Sequence, residues 1–189
     1  MIWRMENLVA QRITLQQISD WLSPTDGLLV LISGTWIFGV ALLHHSWAEA
    51  GLFALLGVVA STIMLIDLRH FRIPDLLSLP LILLGLAATI LAGAPLTPRF
   101  LVMVSIWSLL MLTQWVFLAL RGRSCLGSGD IKLMAAAAIW LEPSSVPPFV
   151  LAASATGLFE GLLKRKGLQG RIAFGAHLAP WLVVFVLTA

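Results

Sequence analysis

Apolar positions run through this chain in seven long stretches broken by short polar ones. They are Gly27–Leu43, Gly51–Ile66, Leu76–Ala92, Leu101–Leu120, Ile131–Leu141, Phe149–Leu163 and Phe174–Leu187. Strand-type alternation is absent, so the pattern predicts helices and argues against an outer-membrane barrel. A helix needs about 20 apolar residues to cross a bilayer. Several runs fall short, so their ends must borrow neighbouring residues. The prediction is an all-α, polytopic integral membrane bundle with about seven transmembrane helices. Ile131–Leu141 is the shortest run, and it fits best if its Gly127-Ser-Gly129 entrance sits in a water-filled cavity within the membrane.

Residues 1–25 are different, being the only long polar segment. Met5, Leu8, Val9, Leu15, Ile18, Trp21 and Leu22 fall near helical spacing, and Ser23-Pro24 ends the pattern. Two readings are open: an amphipathic helix in the headgroups anchored by Trp3 and Trp21, or a tail docked on the bundle. The chain thus divides into an N-terminal segment, 1–25, and a transmembrane domain, 26–189. Ala48-Glu49-Ala50 resembles a signal-peptide cleavage site, but the stretch before Gly27 is no basic leader, so Gly27–Leu43 reads as a retained span.

Composition agrees with this division. The 189 residues are 59% hydrophobic and 11% charged, which excludes an ordinary soluble domain. The net charge of +3 comes from loop arginines and lysines and does not describe a nucleic-acid surface. One cysteine, Cys125, rules out an internal disulfide and a multi-cysteine zinc site. With a cytoplasmic N-terminus, Arg4, Arg12, Arg69, Arg72, Arg121, Arg123, Lys132, Lys164, Arg165, Lys166 and Arg171 fall on the cytoplasmic side. Arg99 alone faces outward. That asymmetry fixes the orientation and supports seven spans.

The orientation puts two acids at the cytoplasmic end. Asp67 closes the run Gly51–Ile66, and Asp130 follows Gly127-Ser-Gly129 and opens Ile131–Leu141. An acid beside apolar helices is costly unless solvated or paired. Two carboxylates a few ångströms apart share a proton and titrate as a pair, the chemistry of an aspartyl protease dyad. The structural alternatives are plain. Ser128 or Asp130 can cap the following helix, and Asp67 can be a solvated loop residue paired with Arg69 or Arg72. Gly127 and Gly129 would let another chain approach the backbone closely.

Three stretches bring a family to mind. Ile66-Asp-Leu-Arg-His-Phe-Arg-Ile-Pro-Asp75, Gly127-Ser-Gly-Asp-Ile-Lys132 and Phe174-Gly175 resemble, in order and spacing, the signatures of the type IV prepilin peptidases. The resemblance covers about residues 27–189. It implies an intramembrane aspartic endopeptidase of the bacterial inner membrane with its active site facing the cytoplasm. Such an enzyme cuts the leader from type IV prepilins or type II secretion pseudopilins. It also implies Asp67 and Asp130 as the catalytic pair, with Gly127, Gly129, Lys132, Phe174 and Gly175 binding substrate or shaping loops. The expected partners are a prepilin-like substrate with an apolar N-terminal helix and membrane lipid, with no nucleic acid, metal or organic cofactor. Larger members add a cytosolic region with paired Cys-x-x-Cys motifs and methylate the new N-terminus. This chain has neither those cysteines nor that length, so cleavage without methylation is expected. The family's late signature is usually Pro-Phe-Gly-Pro; here it reads Ala173-Phe-Gly-Ala176, followed by His177.

The remaining polar residues have simpler readings. Asp75 follows Pro74 as an ordinary helix start. Lys132 lies two positions past Asp130, roughly 200° around a helix, where it can orient substrate, tune the pair or snorkel. Glu160 has Lys164 one turn on, a favourable helical ion pair. His70 is a solvated loop histidine or a substrate donor. His44-His45 make a poor metal site. A thiol reading of Cys125 with His70 has no supporting spacing. Trp47, Trp115, Trp140 and Trp181 read as interface or packing aromatics. Glu6, Asp20 and Asp26 are the acids available to a basic leader. The competing functions are a proton-coupled transporter or channel subunit using the two acids as a relay, and a non-catalytic secretion-assembly protein. The relay is opposed by the acids' place at one face and by the lack of an inverted repeat. A presenilin-like protease would have Tyr-Asp where Ile66-Asp67 stands.

Overall fold

The computed structural model describes residues 14–122, 126–163 and 172–188. Among them lie eight α-helices: α1 (Leu15–Trp21), α2 (Pro24–Ala41), α3 (Trp47–His70), α4 (Asp75–Leu91), α5 (Leu96–Arg121), α6 (Ser128–Trp140), α7 (Val146–Leu163) and α8 (Gly175–Leu187). A short 3₁₀ turn, Pro143–Ser145, leads into α7. Helices α2 to α8 correspond one for one to the seven apolar runs. Pro24–Ala41, Trp47–His70, Leu96–Arg121 and Pro143–Leu163 are long and apolar enough to cross a membrane, while α4 and α8 are shorter apolar helices. The chain is a multi-pass membrane protein.

The helix starts follow from local chemistry. Thr14, Ser23 and Ser46 each cap a helix through a reciprocal box with Gln17, Asp26 and Glu49, satisfying otherwise orphaned amides. Ala48-Glu49-Ala50 therefore belongs to the first turn of α3. The amphipathic segment is described only from Thr14 onward; Met5, Leu8 and Val9 lie outside the described residues. Within α1, Ile18 is buried and Leu15 is exposed.

Packing is tightest where side chains are small. On α2 and α3, Gly34 lies against Val58 and Gly57 against Ile37, so a Cβ at either would collide with its neighbour. Ser33 and Ser61 hydrogen bond across the same seam at 2.7 Å. Small residues with polar cross-links are how helices associate where lipid removes the hydrophobic drive. Helix α6 occupies the centre: it packs on α4, α5 and α8, and α3 packs on α8 from the other side. Nine α6 residues, from Ile131 to Trp140, are buried. Trp140, expected at an interface or in packing, is a packing residue; its Nε1 donates to the Leu81 carbonyl at 2.8 Å. Trp47 and Trp115 are exposed.

Arg99, the one cation expected on the outer side, seals the far end of α6. Its Nη1 donates to the carbonyls of Trp140 (2.8 Å) and Ile139 (3.2 Å), satisfying C-terminal groups and complementing the helix dipole. The cavity of about 260 Å³ beside it is lined by Arg99, Glu142 and neighbouring prolines. It lies at the opposite end of α6 from Asp130. The Gly127-Ser-Gly129 entrance itself stands at the surface, with Gly127 and Ser128 exposed.

Candidate active site

Asp67 is not a loop residue. Helix α3 runs three residues past it to His70, and Phe71 ends the helix in the left-handed conformation (φ 52°), its N–H donating to the Asp67 carbonyl. The carboxylate is therefore held on the helix face that looks into the bundle, and the residue is only 4% exposed. Arg69 lies two positions on, roughly 200° around the helix, and serves a different acid. Its guanidinium makes a two-pronged bond to Asp26, at 2.6 and 2.7 Å. The structural alternative of a loop Asp67 paired with Arg69 is therefore not what the fold shows, and Asp26 is spent internally instead of being free to attract a basic leader. Trp21 stacks on His70 with ring centroids 4.4 Å apart, so α1 is clasped to the same end of α3.

A backbone amide and not an arginine meets the carboxylate. The Ala176 N–H donates to Asp67 Oδ2 at 2.9 Å, and Gly175 packs against the same oxygen. Both belong to the first turn of α8, whose positive dipole end suits an anion. Ala176 stands where the resembled signature usually has proline. Proline has no N–H, so this departure supplies Asp67 with a donor that the usual residue lacks. Phe174 provides the start of α8, its carbonyl accepting from His177 and Leu178.

Asp130 reaches the same point from α6. It is the third residue of that helix, with Gly127 at the cap position, and its carboxylate folds back over that glycine, where a Cβ would lie 2.8 Å from Asp130 Oδ2. The helix-start reading of Asp130 therefore describes its local geometry, except that Gly127 and not Ser128 or Asp130 is the cap. The charge of Asp67 acts on Asp130. The two carboxylates, 63 residues apart in sequence, share one neighbourhood.

Ile73 fits between the pieces. A Cβ on Gly129 would sit 2.8 Å from the Ile73 Cβ, and one on Gly175 would collide with the Ile73 Cδ1. The close approach anticipated at Gly129 is made by this side chain from the α3–α4 turn. A Cβ on Gly175 would also meet Asp67 Oδ2 at 3.0 Å. Glycine at both positions lets three distant segments converge around one isoleucine. Nothing in the sequence set Ile73 apart from the other aliphatic residues.

Lys132 points away from the acids, as the helical angle requires, and its Nζ bonds Asp75 Oδ1 at 2.6 Å. Both side chains are substantially exposed. The pair ties the start of α4 to the first turn of α6. Glu160 bonds His177 Nε2 at 2.6 Å; its expected partner Lys164 lies outside the described residues, as do Cys125 and Arg123. His45 packs edge-on against Phe53. Among the described residues no group of three or more His, Cys, Asp or Glu side chains converges to hold a metal.

Comparison with known proteins points the same way. The model of the type IV leader peptidase family matches residues 52–162, a span that includes Asp67 and Asp130. A prepilin leader peptidase/N-methyltransferase of Dickeya chrysanthemi is 37% identical over 164 residues, covering 84% of this chain and 54% of the relative. One from Neisseria gonorrhoeae is 32% identical, covering 82% and 56%. One from Xanthomonas campestris pv. campestris is 31% identical, covering 83% and 55%. The chain spans about half the length of these curated relatives. No solved structure gives a significant match.

Proposed function

The chain belongs to the type IV leader peptidase family, and on that premise we propose that it is an aspartic endopeptidase that removes the leader of prepilin-like proteins. Asp67 and Asp130 are its catalytic residues in this reading. The observation that carries it is the convergence of the end of α3, the start of α6 and the first turn of α8 around Ile73, close enough for the charge of Asp67 to act on Asp130. Two acids brought that close share a proton. The ionised member takes a proton from water, whose oxygen attacks the scissile carbonyl carbon. The protonated member passes its proton to the carbonyl oxygen. Collapse of the tetrahedral intermediate breaks the C–N bond: the departing amine receives a proton from the acid that accepted one, and a hydroxyl proton of the intermediate returns to the other acid, restoring the shared proton.

The substrate in this reading is anchored by its own apolar helix, with its leader in the cytoplasm. The basic loops orient the site toward the cytoplasmic face of the inner membrane. The transmembrane domain, 26–189, carries the reaction. Cleavage proceeds without N-methylation by this stretch of chain, which has one cysteine and hence no Cys-x-x-Cys pair. The methyltransferase activity in the relatives' names is assigned to them alone.

The test is cleavage of several candidate prepilins by the full chain in proteoliposomes. Asp67→Asn and Asp130→Asn each preserve shape while removing the ionisable group, and each is expected to lower kcat by about 10²- to 10⁴-fold. Cleavage that survives both changes, or a wild-type protein that cuts none of the prepilins, would sink the assignment.

A further inference from the structure

The α7–α8 seam carries two polar rungs one helical turn apart. His177 Nε2 meets Glu160 Oε2 at 2.6 Å, and Trp181 Nε1 donates to Thr156 Oγ1 at 3.3 Å. His177 and Trp181 are four residues apart on α8, as are Thr156 and Glu160 on α7, so each rung joins matching faces. The first rung is largely enclosed: the His177 and Glu160 side chains are 18% and 17% exposed. Gly157 lies in contact distance of the His177 ring. With Glu160 ionised its oxygens only accept, so the ring nitrogen carries the hydrogen.

The position of this rung matters more than its strength. His177 directly follows Ala176, whose N–H holds Asp67. Apolar packing in a membrane resists the turning of a short helix only weakly, because one aliphatic contact resembles the next. A one-residue turn of α8 is about 100°, enough to swing the Ala176 amide off the carboxylate. Buried polar pairs are best attested as devices that fix register.

We propose that His177, held by Glu160, is a positioning residue for the reaction. It fixes the rotation of α8 so that the Ala176 amide stays aimed at Asp67. The inference rests on the peptidase reading above. His177 touches neither substrate nor reacting atoms here; it acts through that amide.

The test measures kcat and KM separately for prepilin cleavage by the full chain in proteoliposomes. His177→Leu removes the rung and is expected to lower kcat roughly 10- to 100-fold, the scale of a small misplacement at a reacting centre, with KM within about twofold. His177→Gln keeps an amide nitrogen near the Nε2 position and is expected to restore most of kcat. His177→Asn, too short to reach Glu160, serves as a milder loss variant should the leucine protein fail to fold. Thr156→Val breaks the second rung and is expected to leave kcat unchanged. The inference is overturned if the loss variants keep wild-type kcat, if glutamine is no better than asparagine, or if Thr156→Val costs as much as His177→Asn. A wild-type protein that cuts no prepilin removes the peptidase reading itself, and this inference with it.

Discussion

Helices α5 and α6 are neighbours in sequence, both apolar, and packed on each other, yet they are opposites. Helix α5 has 26 residues, about 39 Å, and none of them is buried. Helix α6 has 13 residues, about 20 Å and too short for a hydrocarbon core of about 30 Å, and nearly all of it is enclosed. Hydropathy cannot distinguish them, because a lipid-facing leucine and a core leucine are equally apolar. Size does: α6 reads Ala135-Ala-Ala-Ala138 at its middle, while α5 carries Leu109, Leu112, Trp115 and Leu120 outward. Small residues mark the helix that others must approach. Asp130 stands in the first turn of that enclosed helix.

The contrast can be broken by mutation. Trp140→Ala empties the end of α6, loses the bond to Leu81, and is expected to cost about 3–5 kcal/mol in an unfolding titration in mixed micelles. Gly85→Ala adds one methyl on α4, where a Cβ would lie 2.8 Å from Trp140 Nε1 and 3.0 Å from Ile139 Cγ2. Overpacking there is expected to cost about 1–3 kcal/mol in the same titration. Leu112→Ala, on the lipid-facing side of α5, is expected to stay within about 0.5 kcal/mol. If Leu112→Ala costs as much as Gly85→Ala, α5 has a partner in the membrane and the contrast falls. Asp75→Asn should likewise show little: an exposed pair contributes about 1 kcal/mol or less, and cleavage should continue at the wild-type rate. Loss of cleavage there would move Asp75 into the site.

How much of this could be read beforehand depended on range along the chain. The apolar runs are local, and each became a helix with its ends moved by a few residues. Helix α3 did borrow neighbours, extending from Trp47 to His70 around Gly51–Ile66, whereas α4, α6 and α8 stay short at 17, 13 and 13 residues. Both acids were visible because carboxylates are scarce beside such runs. Their partners were not. Arg69 was the nearest cation to Asp67 in sequence but lies around the helix from it, and helical phase alone could have excluded that bond. Asp26 and Arg69 are 43 positions apart, and Asp75 and Lys132 are 57 apart. No periodicity connects residues at those separations. The donor to Asp67 was harder still, since every residue but proline has a backbone N–H. The change to Ala176 in the late signature was the one available clue.

Gly175 also has a temporal meaning. Protein synthesis delivers Asp67 first, then Asp130, and only afterwards the amide that holds Asp67. The 45 residues from Asp130 to Gly175 take roughly 2–9 s to make at ordinary elongation rates. Through that interval a nascent chain carries both acids without the Ala176 N–H that Asp67 accepts from. The surroundings of Asp67 are therefore completed last, with the docking of α8.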